Sequence, residues 1–159
     1  MFDCISDVLN TIVKYLAGFL LAAMTVVVFL QVLFRYVFDA PLDWSEEMAT
    51  FAFAWMALLG AGVGLKYNQH PSLDVFHSRF PPFLQKTAEL LVNLAVMFML
   101  IVLCVAGWQL TITMKMQTMA ALGYSVAYIY IILPISALIM LFHVLVRTVN
   151  LFSSSKRRK

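Results

Sequence analysis

The sequence predicts an all-α integral membrane protein: four transmembrane helices, an N-terminal amphipathic interfacial helix ahead of them, and a short interfacial helix in the second loop. Three observations carry this expectation. The chain is 63% hydrophobic and only 12% charged, with mean hydropathy +0.90, whereas soluble domains lie near half apolar and a quarter charged. The apolar residues form four runs of roughly twenty residues, the length that crosses a hydrocarbon core. Charged side chains collect between these runs and at their edges. Lipid offers backbone groups no hydrogen-bond partners, so each run is expected to be an α-helix.

Residues 1–14 have helical spacing. Phe2, Ile5, Leu9 and Ile12 share one face, and Asp3, Ser6, Asp7, Asn10 and Lys14 take the other. This is the pattern of an amphipathic helix in the interface. The start is acidic, and the apolar run that follows continues to Phe34. A cleaved secretory signal would want a basic start and a short run ending in small residues, so a retained anchor is expected.

The first span is expected at about 15–35, with Thr25 and Gln31 as its polar exceptions. Asp39 and Pro41 punctuate the turn after it. The second span follows at about 46–66. Asp43 is the expected N-cap, with Glu46 completing a capping box and Ser45 as the alternative cap. Acidic side chains there suit the positive end of the helix dipole. Ala54, Ala57, Ala61 and Gly64 lie near one face, with Gly60 and Gly64 in GxxxG spacing. Small residues let helices in lipid approach closely, which is what drives their association there. The N–H of Trp55 is expected to find a partner inside protein.

The second loop carries Lys66, His70, Asp74 and Arg79, a set expected at the membrane interface, among the apolar residues Leu73, Val75, Phe76 and Phe80. Pro81 and Pro82 stop the short helix expected there, and Pro82 suits the first turn of the next helix. The third span is expected at about 87–110, with Asn93 buried and Trp108 at the same interface as Trp44. The fourth is expected at about 126–147, kinked by Pro134. Residues 15–147 thus form the membrane domain and 148–159 a flexible basic tail. Four spans put both termini on one side. That side holds Lys14, Lys66, Arg79, Lys86, Arg147 and the tail, and the other only Arg35 and Lys115. The positive-inside rule makes the first side cytoplasmic.

No ionisable residue falls near the middle of a span, so an autonomous ion-coupled carrier is disfavoured. His70, His77 and His143 all fall near one membrane edge and are expected to face water or headgroups rather than haem. Cys4 and Cys104 suggest no disulfide, no metal-ligating spacing occurs, and no enzyme motif stands out. Nucleic-acid binding is disfavoured because the cations lie at membrane edges. Arg35 ends one helix where Glu46 and Glu47 begin its antiparallel neighbour. Arg35, Asp43, Trp44, Glu46 and Glu47 are therefore a candidate hairpin clamp or a docking surface for a periplasmic partner.

The run from Gln31 through Arg35 to Phe38, then Pro41, Leu42, Asp43, Trp44, Ser45, Glu46 and Glu47, a glycine-rich stretch to Lys66, and finally His70 and Asp74 resemble the small membrane subunit of tripartite ATP-independent periplasmic (TRAP) transporters, the DctQ-like Q subunit. Pro134 and the four-helix layout also fit. The resemblance implies a non-catalytic, cofactor-free scaffold in the bacterial inner membrane. Its partners would be a large sodium-driven elevator subunit in a 1:1 hetero-oligomer, a periplasmic binding protein and membrane lipids, serving uptake of a sialic acid or dicarboxylate. Sodium would bind the large subunit. Ala57, Gly60, Ala61 and Gly64 are then the first candidates for packing on that subunit. The alternatives are an accessory subunit of an unrelated membrane complex and, behind it, an autonomous small four-helix transporter.

Overall fold

The computed structural model describes residues 2–67 and 82–156. Four helices in it are long and apolar enough to cross a membrane. α1 spans Phe2–Val37, α2 Asp43–Lys66 and α3 Pro82–Thr113; a 3₁₀ turn, Met114–Met116, follows, then the short α4, Ala127–Tyr130, and α5, Ile132–Lys156.

α1 runs unbroken for 36 residues, about 54 Å at roughly 1.5 Å per residue, well beyond a hydrocarbon core of about 30 Å. The amphipathic stretch and the first span are therefore one helix, with no break at 14. Its polar side also faces differently from expectation. Ser6 and Asn10 are buried, while Ile5, Val8 and Ile12 are exposed. In lipid the apolar face can point outward, and the polar face seeks protein partners.

α1 closes with Asp39 at a φ of 50°, a left-handed conformation that Asp tolerates, and with the Ala40 N–H bonded to the Phe34 carbonyl at 3.1 Å. α2 then begins from an extended Leu42, which has no side-chain cap. The expected caps are thus corrected. Asp43 lies inside the first turn, and so does Ser45, whose hydroxyl donates to the Leu42 carbonyl at 2.6 Å. Asp43 and Glu46 still sit in the first turn, where the dipole favours them.

α1 packs on α2, α2 on α5 and α5 on α3, while α1 and α3 do not pack along each other. The order α1–α2–α5–α3 makes an open row. α5 is its centre, with Ile132, Ser136, Ala137, Met140, His143 and Val144 buried. One apolar cluster, Val13, Leu59 and Ile132, joins α1, α2 and α5; another, Leu100, Met140 and Val144, joins α3 and α5.

Pro134 splits the last span into α4 and α5. It has no N–H for the Tyr130 carbonyl, and the next bond, Ile135 N–H to Ile131, is stretched to 3.4 Å. Gly107 of α3 meets this break. A Cβ built there would lie 2.6 Å from Leu133 Cβ and 3.1 Å from Pro134 Cδ. At its far end α5 continues through Lys156, so residues 148–156 are helical and not a loose tail; no proline or glycine interrupts them. The expected interfacial helix of the second loop lies outside the described residues, although Pro82 does open α3 as expected.

Candidate functional site

Two polar constellations stand at opposite ends of the row. The first is built on one face of α2. Glu47, Phe51 and Trp55 recur at four-residue spacing, so their side chains share that face. The Glu47 carboxylate accepts from the backbone N–H of Ala121 at 3.0 Å and of Leu122 at 2.8 Å. The Trp55 indole N–H donates to the Tyr128 carbonyl at 3.0 Å, which gives Trp55 its expected protein partner.

The segment held by Glu47 is a small hairpin. Thr118 pairs with Ser125 as an isolated antiparallel bridge. The Met119 N–H donates to Tyr124 at 2.8 Å, and the Gly123 N–H donates back to Met119 at 3.0 Å. Gly123 has a φ of 69°, a conformation glycine adopts without steric cost. The Ser125 hydroxyl donates to the Lys115 carbonyl at 2.9 Å. Two turn N–H groups that would otherwise lack partners thus converge on one carboxylate, a strong charge-assisted arrangement.

This geometry corrects the expected clamp. Among the described residues no ion pair joins Arg35 to Glu46 or Glu47. The reason is direction: Glu47 points along the α2 face turned to the hairpin, while Arg35 is exposed on α1. Asp43, Glu46 and Glu47 instead line an open groove of about 590 Å³ with Thr50 and Ala121. Trp44 and Trp108 are exposed at this same end, with Tyr36, Tyr124 and Tyr128, the aromatic girdle of a membrane interface.

The second constellation lies at the other end, where the first turns of α1 meet the end of α2 and the middle of α5. The Lys66 ammonium contacts Asp7 at 2.6 Å. The Ser6 hydroxyl and His143 Nδ1 are 2.9 Å apart. Asn93 donates to the Thr148 hydroxyl at 3.3 Å. Ser6, Asn10, Asn93 and His143 are each no more than 5% exposed. His143 is therefore a buried, hydrogen-bonded side chain and not the solvated one expected. Asn93 is buried as expected. His70, Asp74, Arg79 and His77 lie outside the described residues.

The small-residue face of α2 divides. Gly62 is buried, its position 3.5 Å from Met140 Cγ. Gly60 and Gly64 meet nothing within 4 Å, and Ala57 and Ala61 are exposed. The close glycine contact within the chain is at Gly107. Sequence reasoning missed it because Gly107 stands alone among large apolar residues. The signal that could have found it was Pro134 on a neighbouring span, at matching distance from the connecting loop.

Comparison with known proteins places this architecture. Residues 24–154 match the family model described as "Tripartite ATP-independent periplasmic transporters, DctQ component". The chain is 32% identical over 107 residues to a C4-dicarboxylate TRAP transporter small permease protein of Vibrio cholerae, covering 67% of this chain and 46% of that protein. It is 26% identical over 144 residues to a sialic acid TRAP transporter small permease protein of the same species, covering 91% and 83%. It is 31% identical over 132 residues to an isethionate TRAP transporter permease protein of Oleidesulfovibrio alaskensis, covering 74% of this chain and 20% of that one. The match thus spans just under half of the dicarboxylate relative. These relatives are transport components and not enzymes. With four apolar helices arranged as above, this multi-pass membrane protein belongs to the DctQ component of the tripartite ATP-independent periplasmic transporters, the family of their small permease subunits.

Proposed function

We propose that the chain is the stationary scaffold of a TRAP transporter. It holds a large sodium-driven elevator subunit in the bacterial inner membrane, one copy to one, with both termini cytoplasmic, for uptake of an organic acid of the dicarboxylate or sialic acid class. One observation carries this reading. The helices form an open row with no charged side chain at mid-span. Such a row encloses no path for an ion, yet it presents two broad apolar faces on which a larger membrane protein can rest. Relatives support a large partner. In the isethionate protein the matched stretch is only 20% of a longer chain, and in a sialic acid permease protein of Haemophilus influenzae it is 23%.

An elevator needs one part that stays still while another slides. A wide row resists tilting because each tilt drags a large lipid-facing area. Ala57, Gly60, Ala61 and Gly64 face away from the chain's own core and offer the large subunit a close-packing surface. Arg35, Asp43, Trp44 and Glu46, exposed at the hairpin end, are placed to meet a periplasmic binding protein. Lys66 belongs to the cytoplasmic interface. The scaffold takes no cofactor of its own, and sodium binds the large subunit.

The test is uptake into liposomes. The purified chain alone should move no dicarboxylate or sialic acid under a sodium gradient. Adding the large subunit and the binding protein should restore uptake. Transport by the chain alone would overturn the scaffold reading. Replacing Gly60, Ala61 and Gly64 with leucine should leave the chain folded and remove the large subunit from the purified complex.

A further inference from the structure

Residues 114–131 join α3 to α5 and lie against the first half of α2. Burial changes sharply where they end. Within 114–131 only Met119 is buried, whereas Ile132, Pro134, Ser136, Ala137 and Met140, which follow directly, all are. The segment is nevertheless well bonded to itself. Thr118 pairs with Ser125, the Val126 N–H donates to the Gln117 carbonyl at 2.9 Å, and the Met119 N–H donates to Tyr124 at 2.8 Å. Its ties to α2 are polar: two bonds accepted by the Glu47 carboxylate and one given by the Trp55 indole. Beside these ties lies a space of about 410 Å³, walled by Met48, Phe51 and Trp55 on α2 and by Met119 and Leu122 opposite. Side chains facing each other across such a space lack contact atoms on one side, so dispersion adds little to hold them together.

We infer that residues 114–131 form a strap that opens from α2 as one unit, with Glu47 and Trp55 as its latches and the Pro134 break as its hinge. Segments with few buried apolar contacts and exposed backbone bonds open before the rest of a fold. The hinge lies in the backbone ladder. Pro134 gives the Tyr130 carbonyl no N–H, and the bond that crosses the break, Ile135 to Ile131, is stretched to 3.4 Å. α3 fixes the still side of this hinge, because Leu133 and Pro134 sit against Gly107, where a Cβ would come within 2.6 Å of a neighbour. The moving side carries its own hairpin bonds with it. Opening uncovers Met48, Phe51 and Trp55 and so changes the face that the row presents at this end. The device belongs to this chain and does not rest on the transport reading.

Coupling between the latches is what marks a single unit. Hydrogen exchange of amide and indole N–H groups, resolved residue by residue by NMR on the full chain in detergent, measures it. Glu47→Gln should speed exchange of Ala121 and Leu122 at least about tenfold, as the loss of a charge-assisted bond implies. It should also speed the Trp55 indole N–H, which stands about two turns further along α2. Trp55→Phe should in turn speed the amides of Ala121 and Leu122, since sites coupled through one opening act on each other reciprocally. Pro134→Ala, which returns an N–H to the break, should slow all three in the otherwise native chain. The amides of Met119 and Val126, bonded within the strap, should keep their native rates. So should residues 136–145 of α5, which certify the fold of each variant. An effect of Glu47→Gln confined to Ala121 and Leu122 overturns the strap, because the two ties then open separately. Acceleration of Met119 and Val126 together with the rest also overturns it, because the segment then melts instead of moving as a body. So does native protection of Ala121 and Leu122 equal to that of α5.

Discussion

α1 and α5 are equally apolar, yet the membrane treats them differently. None of α1's most apolar stretch is buried in the chain, against 39% of the last span's. In water the two would compete equally for a core. In lipid, hydrocarbon tails solvate leucine as well as another helix does, so hydropathy does not choose the centre. Small and polar residues choose it. α5 carries Pro134, Ser136, Ala137 and His143 on its buried side. α1 carries phenylalanine and valine through its middle; among its described residues Ser6, Asn10 and Val13 are buried, and Leu9, Ala17 and Leu20 pack half-buried against the same cluster. α5 is thus committed to neighbours on both of its sides, and α1 rests on α2 along one side with its other faces left for lipid or for another subunit.

The sharpest way to break this comparison is one methyl group placed on each side of it. Gly→Ala in a helix ordinarily stabilises by about 1 kcal/mol. At Gly18 of α1 nothing lies within 4 Å, so Gly18→Ala should be neutral or slightly stabilising. At Gly107 the same methyl meets Leu133 Cβ and the backbone nitrogen of Pro134, and neither can rotate away. Overpacking of this kind costs about 1–3 kcal/mol, so Gly107→Ala should lower the thermal midpoint of the detergent-solubilised chain. Opposite signs support the division between the two helices. Equal effects would remove it.

The next effect is smaller and sits where α1 does touch α5. Ser6→Ala leaves a buried imidazole nitrogen of His143 without its partner, a loss of about 1–3 kcal/mol. His143→Phe on the same chain removes the orphan, so the double variant should lose less than the two single variants summed. Hydrogen exchange should place the loss in residues 5–14 and leave the middle of α1 unchanged. Exchange that rises evenly along α1 would mean that its whole length, and not its first turns, is bound to the chain.

Much of this fold was legible because lipid enforces it. Apolar length fixes a helix, and the charges between the runs fix its ends. That reasoning found all four spans, the burial of Asn93, the partner for Trp55 and the break at Pro134. It fails where partners are chosen across the row. Glu47 was legible as an acid near Arg35, but its true partners are two backbone N–H groups 74 and 75 residues away, which carry no side-chain signature. The expected two faces of the first helix's start do not hold as drawn: Ser6 and Asn10 of the polar set are buried beside Val13, while Asp7 and Lys14 of that set are exposed along with Ile5 and Ile12. Once the helix continues into lipid, its small polar side chains seek protein partners while its charged ones stay outside. Ser6 and His143 were legible separately, and only the fold brings them together across 137 residues.

The smallest expected effect separates contact from commitment. Among the described residues Lys66 and Asp7 form the shortest polar contact between α1 and α2, but the Asp7 side chain is 72% exposed. Exposed ion pairs contribute about 0–1 kcal/mol and weaken with salt. Lys66→Met should therefore shift the thermal midpoint less than Ser6→Ala does, and the difference between Lys66→Met and the native chain should shrink further as salt rises from low to molar concentration. A larger loss than at Ser6 would mean that the amino-terminal turns of α1 are held by charge, and that the buried Ser6–His143 contact only follows. With the expected order, a short distance at the surface holds less than a longer one inside, because water competes for the first and nothing competes for the second.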